Sequence, residues 1–482
     1  MSLRERIAPL FRPAVYLGQN SLTLTGAVLT TSSAITLIGF WVFDIVTGGS
    51  VHPYVGLIFF LILPAVFVFG LLLIPIGVFW RRHKLAASGE LPQIYPQVDF
   101  TKPLLRRAIG WVGGLTMSNV IIFGFATYRG VEYMDSVKFC GQTCHTVMQP
   151  EFVAYSNSPH QRVACVECHI GPGASWFVKS KLSGVRQVFA VTFHTYDRPI
   201  PTPVEQLRPA RETCEQCHWP QKFTGDKFIV RTKYSDDEKN TPLITVLVLK
   251  VGGRTWQGSV GIHGRHLDRE SRIQYIATDR ERQVIPDVKY IDDTGKQVEF
   301  LTTDSKPTAQ QLSAGEHRTM DCVDCHNRPT HIFQLPEAAV NQAMYDGRIS
   351  PGLPFIRKKA VEVLRADYPD PETARQRIAA SLDDFYWVSY ADVFRRKRPA
   401  IDAAVQAVQA IYLRNVFAAM NVTWGTYPNN LGHQEFLGCF RCHDGSHTSG
   451  DGRTIPNDCD TCHSLLAVDE QNPKVLTDLG MK

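Results

Sequence analysis

The sequence predicts a membrane-anchored protein with three N-terminal transmembrane helices and a mixed, mostly α-helical outer domain that contains a strand-rich insertion. Three observations predict this fold. The first 130 of the 482 residues contain three long apolar segments. The remainder contains six copies of one short cysteine motif, and β-branched runs lie between the third and fourth copies. A chain of this length is expected to form two or more structural units.

The apolar segments cover residues 21–43, 54–80 and 108–128. Each is about twenty residues or longer, which is enough to cross a hydrocarbon core of about 30 Å. The first segment is too long for the apolar part of a cleaved signal peptide, and it lacks a clear small-residue cleavage site. The sequence therefore predicts an uncleaved membrane anchor over residues 1–130.

Basic residues predict the orientation of this anchor. The turn 48–53, between the first and second spans, contains no lysine or arginine. Loops rich in lysine and arginine stay in the cytoplasm. The N-terminus is therefore predicted to be cytoplasmic and the chain after residue 128 periplasmic, as in a multi-pass protein of a bacterial inner membrane. The basic residues that decide this flank the first span and fill the second loop: Arg4, Arg6, Arg12, Arg81, Arg82, Lys84, Lys102, Arg106 and Arg107.

All 12 cysteines fall in six pairs, and a histidine directly follows each pair. A disulfide framework does not place a histidine after every second cysteine, and a structural zinc site needs four ligands without this fixed triplet. In such motifs the cysteines attach haem c covalently and the histidine binds its iron. The sequence therefore predicts six covalently bound haem c groups. The motifs are Cys140–Cys144–His145, Cys165–Cys168–His169, Cys214–Cys217–His218, Cys322–Cys325–His326, Cys439–Cys442–His443 and Cys459–Cys462–His463.

A haem iron of this kind commonly takes a second axial ligand from elsewhere in the chain. Eight histidines of the outer domain lie outside the motifs, and six haems need at most six second ligands. We expect the histidines close to a motif to bind iron, together with one of His263 and His266, for which we take His263. His194 is left out. The expected distal ligands are His160, His263, His317, His331, His433 and His447.

The first motif differs from the others, because three residues separate its cysteines and Met148 follows His145 by three positions. A methionine thioether is an iron ligand that raises a haem's potential relative to two histidines. The alternative is that Met148 fills a gap in a core. We expect Met148 to be a ligand of the first iron, and whether His145 binds that iron stays open.

Composition divides the outer domain into three parts. Residues 131–226 carry the first three haem motifs. Residues 227–305 carry none, and their β-branched runs, broken by glycine and aspartate, predict hairpins. Residues 306–482 carry the last three motifs, and apolar positions three and four apart within 335–420 predict helices.

Three segments around the haem motifs, NSPHQRVACVECHIGPG, ETCEQCHWPQKF and MDCVDCHNRPTHIF, resemble the second, third and fourth haem segments of one family. This is the NapC/NirT family of membrane-anchored multihaem cytochromes. The resemblance runs from the third span to about residue 333, with residues 227–305 as an insertion. The family core has one transmembrane helix and four haems. With three predicted spans and six motifs, this chain is more similar to the larger inner-membrane cytochromes of metal-respiring bacteria.

The resemblance implies a function, because the family oxidises quinol and passes electrons to periplasmic partners. It implies that Met148 ligates the first haem. It also implies that His160 and His331 are distal ligands of haems other than their sequence neighbours. Lys181 matches a lysine that the family places near the quinol site. Val188 stands where the family has an acidic residue at that site.

Quinol releases two electrons and two protons, whereas one haem accepts one electron. We therefore expect a quinol dehydrogenase that binds quinol beside the first haem and passes electrons on singly. The resemblance points to menaquinol, and the expected acceptor is a periplasmic cytochrome or reductase. Glu132, Asp135 and Glu151 are candidate proton acceptors, and the last two motifs are the expected electron exit.

Two alternatives stay open. One is a non-catalytic electron-transfer subunit that binds other membrane subunits, and the other is a multihaem terminal reductase. Nucleic acid is not expected as a partner. The formal net charge of +5 is spread along the chain, without a basic stripe and interleaved aromatic residues.

Overall fold

The chain forms two compact units, Met1–Thr143 and Cys144–Lys482. The first unit extends past residue 130, the predicted end of the anchor, so the first haem motif is divided between the units. The computed structural model describes residues 12–14, 16–47, 63–95, 103–143, 145–170, 174–204, 207–219, 225–255, 258–268, 272–292, 294–304 and 307–481.

Long helices dominate the described part of the first unit: α1 (Ser21–Thr47), α2 (Leu63–Ala87) and α3 (Pro103–Met134). Glycine allows α1 and α2 to pack closely. A Cβ on Gly70 would lie 2.6 Å from Thr30 Oγ1. Small residues at such contacts are typical of membrane helices, whose association depends on close packing rather than on the hydrophobic effect.

Two helices in the described part of the chain are long and apolar enough to cross a membrane, over Ser21–Gly39 and Leu63–Ala87. They contain most of the first two predicted spans. Residues 48–62, which include the turn between them, lie outside the described residues. The third predicted span, 108–128, lies within α3. A third crossing, by α3, stays a prediction.

The second unit begins with helices around the first haem motifs. Helix α4 (His145–Ser156) starts at the histidine of the first motif, and α5 (Cys165–His169) is the second motif itself. The longer α6 (Ala174–Thr192) follows, and α7 (Ala210–Cys214) ends at the first cysteine of the third motif. Buried side chains of α4 pack against Phe333, so a distant part of the chain fixes this helix.

Strands follow in the region where β-branched runs predict them. A short helix, α8 (Gly261–Leu267), interrupts them after the fourth strand. Valine, isoleucine and threonine favour strands because their branched side chains pack well on a pleated surface. The strands are β1 (Lys227–Tyr234), β2 (Pro242–Leu249), β3 (Gly253–Thr255), β4 (Gly258–Val260), β5 (Arg272–Ala277), β6 (Asp287–Ile291) and β7 (Gln297–Thr302).

Three later strands complete the sheets: β8 (Glu316–Thr319), β9 (His447–Ser449) and β10 (His463–Glu470). Within the described residues the strands form three antiparallel sheets, with the orders β1-β2-β10, β3-β4 and β8-β5-β6-β7-β9. The predicted border at residue 305 therefore does not separate two structural units. The sixth haem motif leads directly into β10, which pairs with β2.

Helices α9 (Ala309–Ala314) and α10 (Cys322–Cys325) flank β8, and a helical block follows. Asp370 caps its longest helix, because the carboxylate accepts a hydrogen bond from Thr373 N at 2.8 Å. The block has a hydrophobic core of its own, which contains fully buried residues such as Ile378 and Leu382. The block comprises α11 (Pro336–Tyr345), α12 (Ile356–Leu364), α13 (Pro371–Ser389), α14 (Ala391–Arg396) and α15 (Arg398–Asn415), and α16 (Cys459–Cys462) and α17 (Lys474–Asp478) end the chain.

Candidate haem sites

The haem motifs form tight turns. In the third, fourth and fifth motifs the backbone N–H of the histidine donates to the carbonyl oxygen of the first cysteine, at 2.8, 2.8 and 3.0 Å. A helical turn brings residues three and four positions apart to one side. In these three motifs both cysteines and the histidine therefore lie on one side of the turn. No disulfide bond joins cysteines within the described residues.

Five motif histidines face a second histidine from another part of the chain. A metal ion between two imidazoles makes a bond of about 2 Å to each nitrogen, and this places the ring centres about 6 Å apart. The observed distances fit an iron between each pair of rings. The pairs are His169 and His331 (6.2 Å), His218 and His160 (5.9 Å), His326 and His263 (6.3 Å), His443 and His266 (5.7 Å), and His463 and His433 (6.1 Å).

Hydrogen bonds orient several of these rings. When Nδ1 donates to a carbonyl oxygen, the tautomer is fixed and Nε2 keeps its lone pair for a metal. The contacts are His160 Nδ1 to Pro329 O (3.3 Å), His266 Nδ1 to Ile262 O (2.8 Å), His331 Nδ1 to Glu151 O (3.0 Å) and His443 Nδ1 to Pro456 O (2.5 Å).

Burial favours the neutral, metal-binding form of two of the facing rings, His169 and His263. Burial lowers the pKa of His169, and the facing ring of His331 lowers it further. The same two causes, in the same order, lower the pKa of His263, which faces His326. At neutral pH these imidazoles therefore hold a free lone pair.

Four of the expected distal ligands, His160, His263, His331 and His433, lie opposite a motif histidine. His160 and His331 face motifs other than the ones beside them in sequence. We expected one ligand from the pair His263 and His266, but both rings face a motif histidine. The missed signal is their spacing of three residues on α8, which allows one short helix to serve two sites.

His447 does not occupy such a position. It is buried, and both of its ring nitrogens contact protein acceptors: Nδ1 lies 2.9 Å from Asp444 Oδ1, and Nε2 lies 2.7 Å from Ile285 O. Both nitrogens are therefore engaged within the protein, and neither is directed at a motif histidine. The expectation of a ligand at this position is wrong, and the ring instead joins β9 to the loop before β6.

His317 does not face a motif histidine either. It lies on β8 in register with Ile276, which pairs on its other side with Asp287. The three side chains therefore share one face of the sheet, and they line a polar pocket of about 210 Å³. The next residue, Arg318, points to the opposite face and contacts Asp324 of the fourth motif. Strand alternation thus turns His317 away from the haem motifs.

The first site is described in part. Cys144 and the side chain of His145 lie outside the described residues. Met148 is half-buried in the first turn of α4. Lys181 is half-buried on α6. The far end of α6 packs through Val191 against the apolar cluster that includes a residue of α4.

Glu151 does not fit the expected role of proton acceptor. Its carboxylate is largely buried and lies 3.2 Å from Arg328 Nη2 and 3.0 Å from His331 Nδ1. Burial alone would raise the pKa of Glu151, but its contacts with His331 and Arg328 outweigh burial and hold the pKa below its usual value. An ionised carboxylate with these partners does not readily take up a proton.

Contacts between motifs place successive sites side by side. From the second motif to the sixth, each contact links one motif with the next one in sequence. Cys168 lies near Cys214 and Cys217, and the thiols of Cys214 and Cys322 are within hydrogen-bonding reach. Arg441 Nη2 donates to Asp324 O at 2.6 Å, and His443 contacts Pro456 before the sixth motif. The sites therefore form a row in sequence order.

The N-terminal helices are apolar, and the outer domain contains a row of cysteine–cysteine–histidine turns with facing histidines. Together these features define a membrane-anchored multihaem cytochrome c. A family model described as NapC/NirT cytochrome c family, N-terminal region, matches residues 103–202. The chain is 42% identical over 457 residues to Cytochrome c-type protein ImcH of Geobacter sulfurreducens, covering 94% of this chain and 89% of that protein. The chain belongs to the NapC/NirT cytochrome c family, and it binds haem c covalently.

A second relative matches a smaller part of the chain. The chain is 27% identical over 116 residues to Cytochrome c-type protein NrfH of Wolinella succinogenes, which covers 22% of this chain and 65% of that protein. No solved structure matches the chain. Family membership makes this protein a membrane cytochrome that relays electrons.

Proposed function

We propose that this protein is a hexahaem quinol dehydrogenase of the bacterial inner membrane. Three helices span the membrane, and the outer domain lies in the periplasm. The protein oxidises quinol, with menaquinol as the proposed substrate, and passes electrons singly to a periplasmic cytochrome or reductase. The row of facing-histidine sites is the observation that supports this proposal, because a row of one-electron sites is what a relay away from the membrane requires.

Five of the six sites are proposed to be bis-histidine. Ring-centre distances of about 6 Å support this assignment. The distal ligands from the second to the sixth haem are then His331, His160, His263, His266 and His433. Met148 is the proposed ligand of the first iron, and Cys140 and Cys144 attach that haem.

Haem c, when bound, supplies a one-electron iron centre at each site. The chain holds every such centre by two cysteines and keeps neighbouring centres together through contacts between their motifs. Asp321, just before the fourth motif, accepts a hydrogen bond from Ala210 N of the third-motif helix at 3.1 Å. Because such direct contacts fix the spacing between neighbouring haem sites, electrons pass along the row without a conformational change.

Entry is proposed at the first haem. Lys181 donates a hydrogen bond to a quinol oxygen and orients the ring, a role taken from the family resemblance. Glu132 and Asp135, at the C-terminal end of α3, are the proposed proton acceptors. The sixth site, which leads into β10, is the proposed exit.

The test is reduction of the haems by menaquinol in the full-length protein held in lipid nanodiscs. Lys181→Ala is expected to slow the reduction at least about tenfold, because a hydrogen bond from a charged group contributes about 1.5–3 kcal/mol. Lys179→Ala is the matched control. Lys179 lies two positions away on the same helix and stacks over Trp176 at 4.5 Å, so its removal is expected to leave the rate unchanged.

Two results would contradict the proposal. If menaquinol reduces the haems only after another membrane subunit is added, the protein is an electron-transfer subunit instead. If reduction proceeds at the same rate in both lysine variants, the proposed entry site is wrong.

A further inference from the structure

A carboxylate outside the motifs holds one of the facing histidines. Glu151 lies on α4, one turn after Met148, and its Oε2 atom is 3.0 Å from His331 Nδ1. The backbone oxygen of Glu151 is also 3.0 Å from this nitrogen. One residue thus offers two acceptors to the single Nδ1–H of His331, on the side of the ring opposite the Nε2 atom that binds metal.

The carboxylate has little freedom to move away. Arg328 is buried and holds Glu151 through Nη2, at 3.2 and 3.3 Å from its two oxygens. The same arginine donates from Nε to the backbone oxygen of His331 at 2.6 Å. Its guanidinium also lies 4.2 Å from the ring centre of Tyr427. Arg328 therefore fixes the carboxylate and the histidine relative to each other.

We propose that Glu151 is a positioning residue that orients His331 and lowers the redox potential of the second haem. This inference rests on the proposed pairing of His331 with His169 and does not depend on which molecule donates the electrons. A carboxylate on the Nδ1–H of a ligating histidine makes the ring a stronger donor to the metal. A stronger donor and a nearby negative charge both favour the ferric state, which carries one more positive charge than the ferrous state.

This arrangement also links the first two sites. Helix α4 begins at His145 of the first motif and presents Glu151 to the ligand of the second. A shift of α4 would alter the hydrogen bond between Glu151 and His331 and so the potential of the second haem. The helix that follows the first motif therefore influences electron transfer from the first haem to the second.

Equilibrium redox titration of the full-length holoprotein with chemical mediators, followed by EPR, tests the proposal without using quinol. Glu151→Gln is expected to raise the midpoint potential of one low-spin haem and leave the others in place. The ring planes of His169 and His331 are 54° apart, against 75° at the third site and 25–26° at the fourth and sixth. Because low-spin EPR signals depend on this angle, the affected signal is separable from those three. The fifth site has a similar angle of 53°, and His266→Ala, which removes the low-spin signal of that site, distinguishes the two.

Two further variants distinguish tuning from a general structural effect. Glu167→Gln removes an exposed carboxylate from the second motif that does not touch His331, and it is expected to shift the potential far less. Arg328→Gln removes the positive charge that offsets the Glu151 carboxylate, while the glutamine amide can still donate a hydrogen bond to it, so the same potential is expected to fall.

Equal shifts in Glu151→Gln and Glu167→Gln would overturn the proposal, as would an unchanged potential in Glu151→Gln. If Glu151→Gln does not retain the second haem, Arg328→Gln decides. A lower potential supports the assignment, and a raised or unchanged potential overturns it.

Discussion

Two histidines close to haem motifs show how a side chain's role depends on the atoms around it. His331 and His447 lie five and four residues after a motif histidine, and sequence spacing gives them the same expectation. In the structure Nδ1 of His331 is held by Glu151, and the ring faces His169. His447 has acceptors on both nitrogens instead. Spacing could not separate them, because the acceptor Ile285 O is brought in by a loop distant in sequence, the one before β6.

This difference predicts opposite outcomes for two alanine substitutions. His447→Ala is expected to destabilise the protein by about 1–3 kcal/mol, since the buried carbonyl oxygen of Ile285 loses its hydrogen bond. It is expected to leave all haems low-spin. His433→Ala is expected to convert one haem to the high-spin form, because His433 faces His463.

Guanidinium unfolding followed by circular dichroism measures the first effect, and EPR of the oxidised protein measures the second. Appearance of a high-spin haem in His447→Ala would show that this ring binds iron after all.

Among the secondary-structure elements, α8 is the one whose role the sequence least reveals. It is a seven-residue helix between strands, and its histidines face the fourth and fifth motifs. The hairpins around it were predictable from their β-branched residues, and so were the helices of the block 335–420 from their spacing. The double role of α8 was not, because two histidines three residues apart become two ligands only when separate motifs approach the same helix.

A single proline in α8 is therefore expected to disturb two haems at once. Arg265 is exposed and lies between the two histidines. A proline there clashes with the preceding turn and costs about 3 kcal/mol or more in a helix interior. Arg265→Pro is expected to make two haems high-spin although neither ligand is changed. EPR counts the high-spin haems.

Arg265→Ala is the control for this experiment, because it removes the same side chain and keeps the helix. It is expected to leave every haem low-spin. A single high-spin haem in Arg265→Pro, or none, would contradict the assignment of both histidines of α8 as ligands.

For the molecule as a whole, the sequence predicts local features well and long-range pairing poorly. The apolar anchor, the six motifs and the helical block depend on residues close together in the chain. The pairing of β10 with β2 instead joins residues more than 200 positions apart. The choice of distal ligand for each motif likewise joins residues from distant parts of the chain. Both depend on non-local contacts, whose cost in chain entropy is met only once the whole outer domain has assembled.

The row of sites predicts how interruptions at different points affect electron transfer. Replacing Cys214 and Cys217 by alanine removes the third haem, and replacing Cys459 and Cys462 removes the sixth. If the sites follow sequence order, menaquinol is expected to reduce only the first two haems rapidly in the variant that lacks the third haem. In the variant that lacks the sixth haem, menaquinol is expected to reduce all five remaining haems, while transfer to a soluble periplasmic acceptor slows.

Stopped-flow absorbance measures the fraction of haem reduced rapidly in each variant. The low-spin EPR signals of the remaining haems show whether the outer domain has folded. Rapid reduction of the same fraction of haem in both variants would mean that electrons bypass the third site. Such a bypass would contradict the order inferred from contacts such as the 2.6 Å hydrogen bond between Arg441 and Asp324 O.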